Sequence, residues 1–298
     1  MCGIVGLFAK TASIEAELGA HLATMLGTLA ERGPDSAGFA IYAPADAATM
    51  KFTLRPPAGT EPEALLARLG VPDSSIRPRG SHAVLSVPAE HDARARAALA
   101  AQAPDTVVVG RGRAMELYKD VGLPGEVARG FGLGEMRGTH GIGHTRMATE
   151  SAVTTDGAHP FSTGPDQCLV HNGSLSNHNG LRRELRRHGY GFATDNDTEV
   201  AAVYLTARMQ DGLSLGEALH GALRDLDGFY TFVVGTGTGF AVLRDPIACK
   251  PAVMAETAEF VAFGTEYRAL AALPGIDAAR VWEPEPGRVY AWERGPAT

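Results

Sequence analysis

Cysteine is scarce in this chain: Cys2, Cys168 and Cys249 are the whole complement in 298 residues. They form no CxxC pair, which excludes a disulfide framework and the common zinc spacings and implies a reducing compartment. Long apolar runs are missing as well. Nothing approaches the roughly 18 to 20 residues that a membrane-spanning helix needs, and the first residues lack the basic stretch and apolar core of a signal peptide. A cytoplasmic protein that touches no membrane is expected. Positive charge is in deficit, with 27 Lys and Arg against 34 Asp and Glu for a net of -7, which argues against nucleic acid. The local exception is Arg182, Arg183, Arg186 and Arg187, which share a helix face at i, i+4 spacing. That cluster reads as a solvated face, with docking of an acidic partner as the rarer alternative.

What is present is an ordinary core-forming composition, 45% hydrophobic and 20% charged. CGIVGLFA opens the chain as an apolar strand. Ile14, Leu18, Leu22, Met25 and Leu29 then recur at helical spacing up to Gly33-Pro34, and Ala37 to Ala43 reads as a second strand. Residues 44–139 are less regular and read as an insertion, in which MELYKDVGLPGEV supplies a loop and a further helix. Beyond it come strands at 141–146 and 168–171, helices at 179–188, 198–209 and 214–223, and strands at 230–234, 240–243, 260–264 and 288–292. The run Gly235-Thr236-Gly237-Thr238-Gly239 is followed by a strand and not by a helix, so it is a hairpin turn and not a nucleotide loop. Consecutive strands separated by paired helices predict one α+β domain over 1–298. Its expected architecture is a four-layer αββα sandwich of two mainly antiparallel sheets.

The chemistry starts at Cys2. An α-amine ordinarily titrates at about 7.7 to 8.0 and a cysteine thiol at about 8.5, so removing Met1 would place nucleophile and base on one residue. Cys168 and Cys249 sit in apolar contexts and read as small buried hydrophobes. Three other motifs keep Cys2 company. Arg146, in GHTRMAT, ends a strand with a planar guanidinium suited to a carboxylate. Asn172 and Gly173, in VHNG, set a side-chain amide beside an unhindered N–H, a workable oxyanion pair. Asp195 and Asp197 stand at a helix start, where one can cap the helix and another receive an ammonium group. Together these describe a site for an amino-acid amide. Singly, each has a plainer reading: Asp197 as a helix cap, Arg146 as a structural ion pair, Asn172-Gly173 as a turn. His140, His144, His159, His171 and His178 lack metal-ligand spacing and read as core or loop residues, so no metal is expected.

CGIVG, RGPDSAG, HTRMAT, HNG and DTE, in this order and spanning most of the chain, resemble the class II glutamine amidotransferases, a branch of the N-terminal-nucleophile hydrolases. Leu226-Asp227-Gly228, Arg244-Asp245-Pro246 and Lys250-Pro251 resemble further motifs of that family. The resemblance implies that Cys2 attacks the side-chain amide of glutamine to give a thioester and ammonia. Asn172 and Gly173 would then form the oxyanion hole, Arg146 would bind the α-carboxylate and Asp197 the α-ammonium. Thr149 would line the pocket, and Arg32 would brace the loop over Cys2. The family's glucosamine-synthesising members resemble HTRWATH, whereas Met147 and Glu150 stand here, which bears on loop closure and partner signalling.

No synthase motif follows RDPIACKP, so the resemblance implies a separate partner subunit. The MELYKDVGLPGEV segment is similar to stand-alone subunits that accompany glutamate-synthase-like proteins, including that of N-methylglutamate synthase. On that likeness, ammonia or methylamine passes to a partner carrying FMN and an iron-sulfur cluster, and this chain itself holds no cofactor. Two rivals remain: a catalytically silent docking subunit, and an N-terminal-nucleophile hydrolase for another amide.

Overall fold

The computed structural model describes residues 2–148 and 152–295. In chain order the first strands are β1 (Gly3–Ala9), β2 (Ser36–Tyr42), β3 (Thr49–Arg55), β4 (Ser75–Arg79), β5 (His82–Pro88), β6 (Val107–Gly112), β7 (Met115–Val121) and β8 (His140–Arg146). They are followed by β9 (Phe161–Gly164), β10 (Gln167–Leu175), β11 (Gly228–Gly235), β12 (Gly239–Arg244), β13 (Val253–Glu256), β14 (Phe260–Gly264), β15 (Arg280–Trp282) and β16 (Val289–Glu293). The helices are α1 (Ala12–Thr28), α2 (Pro62–Leu69), α3 (Asp92–Gln102), α4 (Pro124–Gly130), α5 (His178–Arg187), α6 (Asp197–Gln210) and α7 (Leu215–Asp225).

Three antiparallel sheets result: a seven-stranded one in the order β15-β13-β14-β1-β8-β2-β7, a five-stranded one in the order β16-β12-β11-β10-β9, and a four-stranded one in the order β4-β5-β3-β6. The period-two alternation of β1 shows how they stack. Val5, Leu7 and Ala9 face α1, meeting Leu18, Leu22, Met25 and Leu26. Ile4 and Phe8 face the other way and meet Val170, Val233, Phe240 and Val242 of the five-stranded sheet. Every residue of β1 is buried because both its faces are covered. On the far side of the five-stranded sheet, Leu169, Phe232 and Leu243 pack under Val200, Leu205 and Leu219 of α6 and α7. The four layers α, β, β, α follow directly, as expected. Ser214 caps α7 with a reciprocal bond to Glu217. Residues 236–238 close the β11–β12 hairpin, as the glycine run predicted.

The stretch expected as an insertion divides. The four-stranded sheet between Thr49 and Gly112 has its own core, with Phe52 and Leu85 packed on Leu65 of α2 and Leu99 of α3. MELYKDV is not the expected loop but β7, paired along the whole of β2 from Ser36↔Val121 to Tyr42↔Met115. After it, Val127 and Ala128 of α4 join the core beneath α1. The separately folded part is therefore shorter than 44–139. Among the described residues no helix is long and apolar enough to cross a membrane.

Candidate active site around Cys2

Cys2 stands immediately before β1, where the strand lies between β14 and β8. Gly3 is required there, because a Cβ would meet Thr145 Oγ1 at 2.7 Å and Leu29 Cβ at 3.0 Å. The Ile4 N–H donates to Thr265 Oγ1 at 2.8 Å and fixes the strand's start. The carbonyl of Cys2 accepts from two sides, Arg32 Nε at 3.1 Å and Asn172 Nδ2 at 3.3 Å. Arg32 also pairs with Glu266, which is held in turn by Arg268 at 2.6 Å.

The RGPDS loop supports the end of β8. A Cβ on Gly33 would lie 2.3 Å from Thr145 C, so only glycine lets this loop press against the strand. Asp35 donates its N–H to Arg146 O at 3.1 Å, and its carboxylate accepts the Ala148 N–H at 2.8 Å. The backbone on both sides of Met147 is thereby tied down.

β10 supplies Asn172 and Gly173, facing Thr231 and Tyr230 of β11. Gly173 has φ 150, and a Cβ there would sit 2.0 Å from Phe229 O. Glycine is the residue that this backbone path admits. At the start of α6 the cap is Asn196, whose side chain accepts from Thr198 N at 2.9 Å. Asp197 is therefore not the cap. Its carboxylate instead accepts the Leu175 N–H at 2.9 Å and lies 3.7 Å from His171 Nδ1. Burial alone would raise its pKa, but the hydrogen bond and charge of His171, with the Leu175 N–H, outweigh that and hold the carboxyl at about 2. Asp197 is thus an anion at neutral pH.

A layer of histidines lies beneath. Thr198 Oγ1 meets His171 Nδ1 at 2.9 Å and His159 Nε2 at 3.2 Å. His144 Nε2 donates to His171 O at 3.0 Å, and its ring stacks on that of His159 at 4.1 Å. Burial pushes His144 down to about 3 and His159 well below its ordinary value. Both rings are neutral, so they give the site a polar but uncharged support.

Above these groups opens a cleft of about 520 Å³ lined by Cys2, Arg146, Gly173 and Asp197, with Thr154, Gly157, His159 and Thr198. The structure therefore brings together four of the seven residues anticipated from sequence. Asn172 and Arg32 join them through the Cys2 carbonyl. Thr149, Met1 and Glu150 lie outside the described residues. A larger cavity of about 790 Å³ between α5, α6 and α7 holds no cysteine, serine or threonine, so size alone does not mark the site. A cleft lined by a thiol, a guanidinium and a carboxylate has the groups to hold a zwitterion and attack its side chain.

Two side chains depart from expectation. Arg182 is not on a solvated face but is buried, donating to Asn179 Oδ1 at 2.9 Å and Asn196 O at 3.1 Å, so it braces the cap of α6. Cys249 is exposed, because its loop turns outward around the buried Asp245, which accepts the Ile247 N–H at 2.8 Å. Asp35 and Thr198 stand in the RGPDSAG and DTE motifs but were given no role in advance, and His159 was read as a core or loop residue.

Comparison with known proteins follows this geometry. A family model described as a glutamine amidotransferase domain matches residues 144–272, a segment that includes Arg146, Asn172, Gly173 and Asp197. The chain is 59% identical over 300 residues to the glutamine amidotransferase-like protein GlxB of Rhizobium meliloti (strain 1021), covering 98% of each. It is 34% identical over 308 residues to a putative glutamine amidotransferase of Methanothermobacter thermautotrophicus, covering 98% of this chain and 100% of that one. Among solved structures, glutamine phosphoribosylpyrophosphate amidotransferase from B. subtilis aligns with 98% of the chain at a TM-score of 0.64 and 20% identity. The chain spans 47% of that protein, and the likeness shows that the two share a fold.

Proposed function

The chain belongs to the glutamine amidotransferase family, and from that premise we propose that Cys2, freed of Met1, hydrolyses the side-chain amide of glutamine. The observation that carries this is the shared cleft, which Arg146, Asp197 and the thiol-bearing Cys2 all line. A free amino acid presents the complementary pair, an α-carboxylate for Arg146 and an α-ammonium for Asp197.

The α-amine of Cys2 takes the thiol proton as sulfur bonds to the amide carbon. The amide oxygen, now negative, accepts from Asn172 and from the Gly173 N–H. Asn172 has two amide N–H groups, so the one given to the Cys2 carbonyl leaves the other for the oxyanion. The C–N bond then breaks, the amine's proton leaves with ammonia, and a γ-glutamyl thioester remains. Water, deprotonated by the same amine, releases glutamate and restores the thiol. Arg32 holds the Cys2 carbonyl throughout, so the attacking sulfur keeps its bearing.

The ammonia passes to a separate, glutamate-synthase-like subunit that carries FMN and an iron-sulfur cluster. In the finer reading that partner is of the N-methylglutamate synthase type, and an N-methylated amide would deliver methylamine. The support for this is the likeness of the MELYKDVGLPGEV segment to stand-alone subunits of such complexes. Activity belongs in the cytoplasm and needs no cofactor in this chain.

The test is glutamate release from glutamine by the purified chain, paired with intact-mass measurement after labelling by a glutamine-like diazo-ketone. Loss of Met1, a single label on Cys2 and no turnover by Cys2→Ala are expected. Full turnover by protein that retains Met1, or by Cys2→Ala, would sink the proposal.

A further inference from the structure

We infer that Lys119 is a positioning residue for glutamine binding: through the segment 152–160 it holds that chain against Arg146, in register with the substrate carboxylate. This rests on the role given to Arg146 above.

Lys119 lies on β7 opposite Gly38 of β2 and is 7% exposed. Its ammonium donates to Asp156 O at 3.1 Å and Ala158 O at 2.8 Å, and it lies 4.5 Å from the centre of the Phe161 ring. These partners are backbone carbonyls and a ring face, not a carboxylate. Burial pushes the amine down to about 8, with Asp156 and Glu199 pulling the other way. Burying a cation on such partners is costly, and an apolar side chain of the same length would fill the space.

What the cation grips gives it a purpose. Gly38 lacks a side chain where a Cβ would sit 2.2 Å from His159 O, so the segment lies flat on β2. Its far side bears on the site. A Cβ on Gly157 would lie 3.5 Å from Arg146 Nη1, and Thr154, Gly157 and His159 all line the cleft. Arg55 at the end of β3 pairs with Asp156, so the four-stranded sheet grips the segment too. Cys2 precedes β1, Asn172 and Gly173 belong to β10, and the partners of Lys119 are Asp156, Ala158 and Phe161. Its loss should therefore disturb carboxylate binding and leave the bond-breaking step largely alone.

The experiment is steady-state glutaminase kinetics on Lys119→Met in the full chain. KM for glutamine is expected to rise about tenfold or more while kcat stays within about threefold of the parent. In the double variant Lys119→Met/Arg146→Gln, KM should lie within about threefold of Arg146→Gln alone, since both act on one contact. Gly157→Ala, which keeps the lysine, should reproduce the KM signature and serves if Lys119→Met does not fold. An unchanged KM, a fall in kcat at constant KM, or full additivity in the double variant would overturn the inference. Failure of the parent chain to release glutamate would instead overturn the proposed function.

Discussion

Asp197→Asn separates charge from shape at the candidate ammonium site. The substitution keeps an oxygen to accept the Leu175 N–H, which the carboxylate now takes at 2.9 Å, and removes only the negative charge. The carboxyl is held at about 2 against an ordinary 3.8, a displacement worth about 2 kcal/mol. Its side chain is 22% exposed, so solvent screens little of this. The sign follows from the depressed value. The unfolded chain takes up the proton first, so the contribution is complete above about pH 4 and is lost as pH falls through about 2. Urea unfolding should show Asp197→Asn less stable by about 2 kcal/mol at neutral pH, shrinking to about 1 kcal/mol at about pH 3. The same variant should raise KM for glutamine about tenfold or more, because the α-ammonium loses its counter-ion. Equal destabilisation at both pH values would show that the charge is not the source. An unchanged KM would show that the ammonium does not bind there.

Arg146→Gln should raise KM for glutamine by about 10- to 100-fold, the worth of a charge-assisted bond, in steady-state kinetics with a smaller change in kcat. Gly173→Ala should lower stability by more than about 2 kcal/mol in thermal or urea unfolding and abolish glutamate release, since its Cβ meets Phe229 O at 2.0 Å on a backbone at φ 150. Burial depresses His82 and His140 to about 4, His144 to about 3 and His159 well below its ordinary value. The unfolded chain protonates all four below about pH 6.5 while the native one does not, so stability should fall as pH drops from there towards about 4. His144→Asn should relieve that slope by about 1.4 kcal/mol per pH unit, read by urea unfolding across the range.

The parts of the fold that were legible are those where one physical rule dominates. CGIVGLFA is apolar on both faces and α1 repeats its core residues at helical spacing, so neither depends on distant context. β7 escaped because its charges mimic a loop: Glu116 is half-buried and accepts from the Tyr118 hydroxyl at 2.6 Å, and Lys119 is buried on carbonyls that lie 37 and 39 residues away. β4 escaped because Pro78 stands in it, which only an edge strand tolerates, and β4 is an edge. At the site, side chains with a distinctive chemistry announced themselves in their motifs. Asp35 lay in such a motif but its role did not show, because it acts on the backbone N–H of Ala148, a partner that leaves no mark in the sequence. Arg182 and Cys249 went astray for the complementary reason: a neighbour's burial, not their own type, decides their exposure.

The Cys2 carbonyl is where these strands of evidence meet. One of its donors, Arg32, comes from the loop that precedes β2 of the seven-stranded sheet, and the other, Asn172, comes from β10 of the five-stranded sheet. Across that junction Ile4 packs against Val170 and Val233, so the apolar layer that joins the sheets also sets the distance between Cys2 and Asn172. Two hydrogen bonds from two sheets and the closed contact at Gly3 hold Cys2 at the edge of β1. The β1–β8 ladder starts at Gly3, so it leaves out the Cys2 nitrogen, which the proposed mechanism uses as the base for its own thiol.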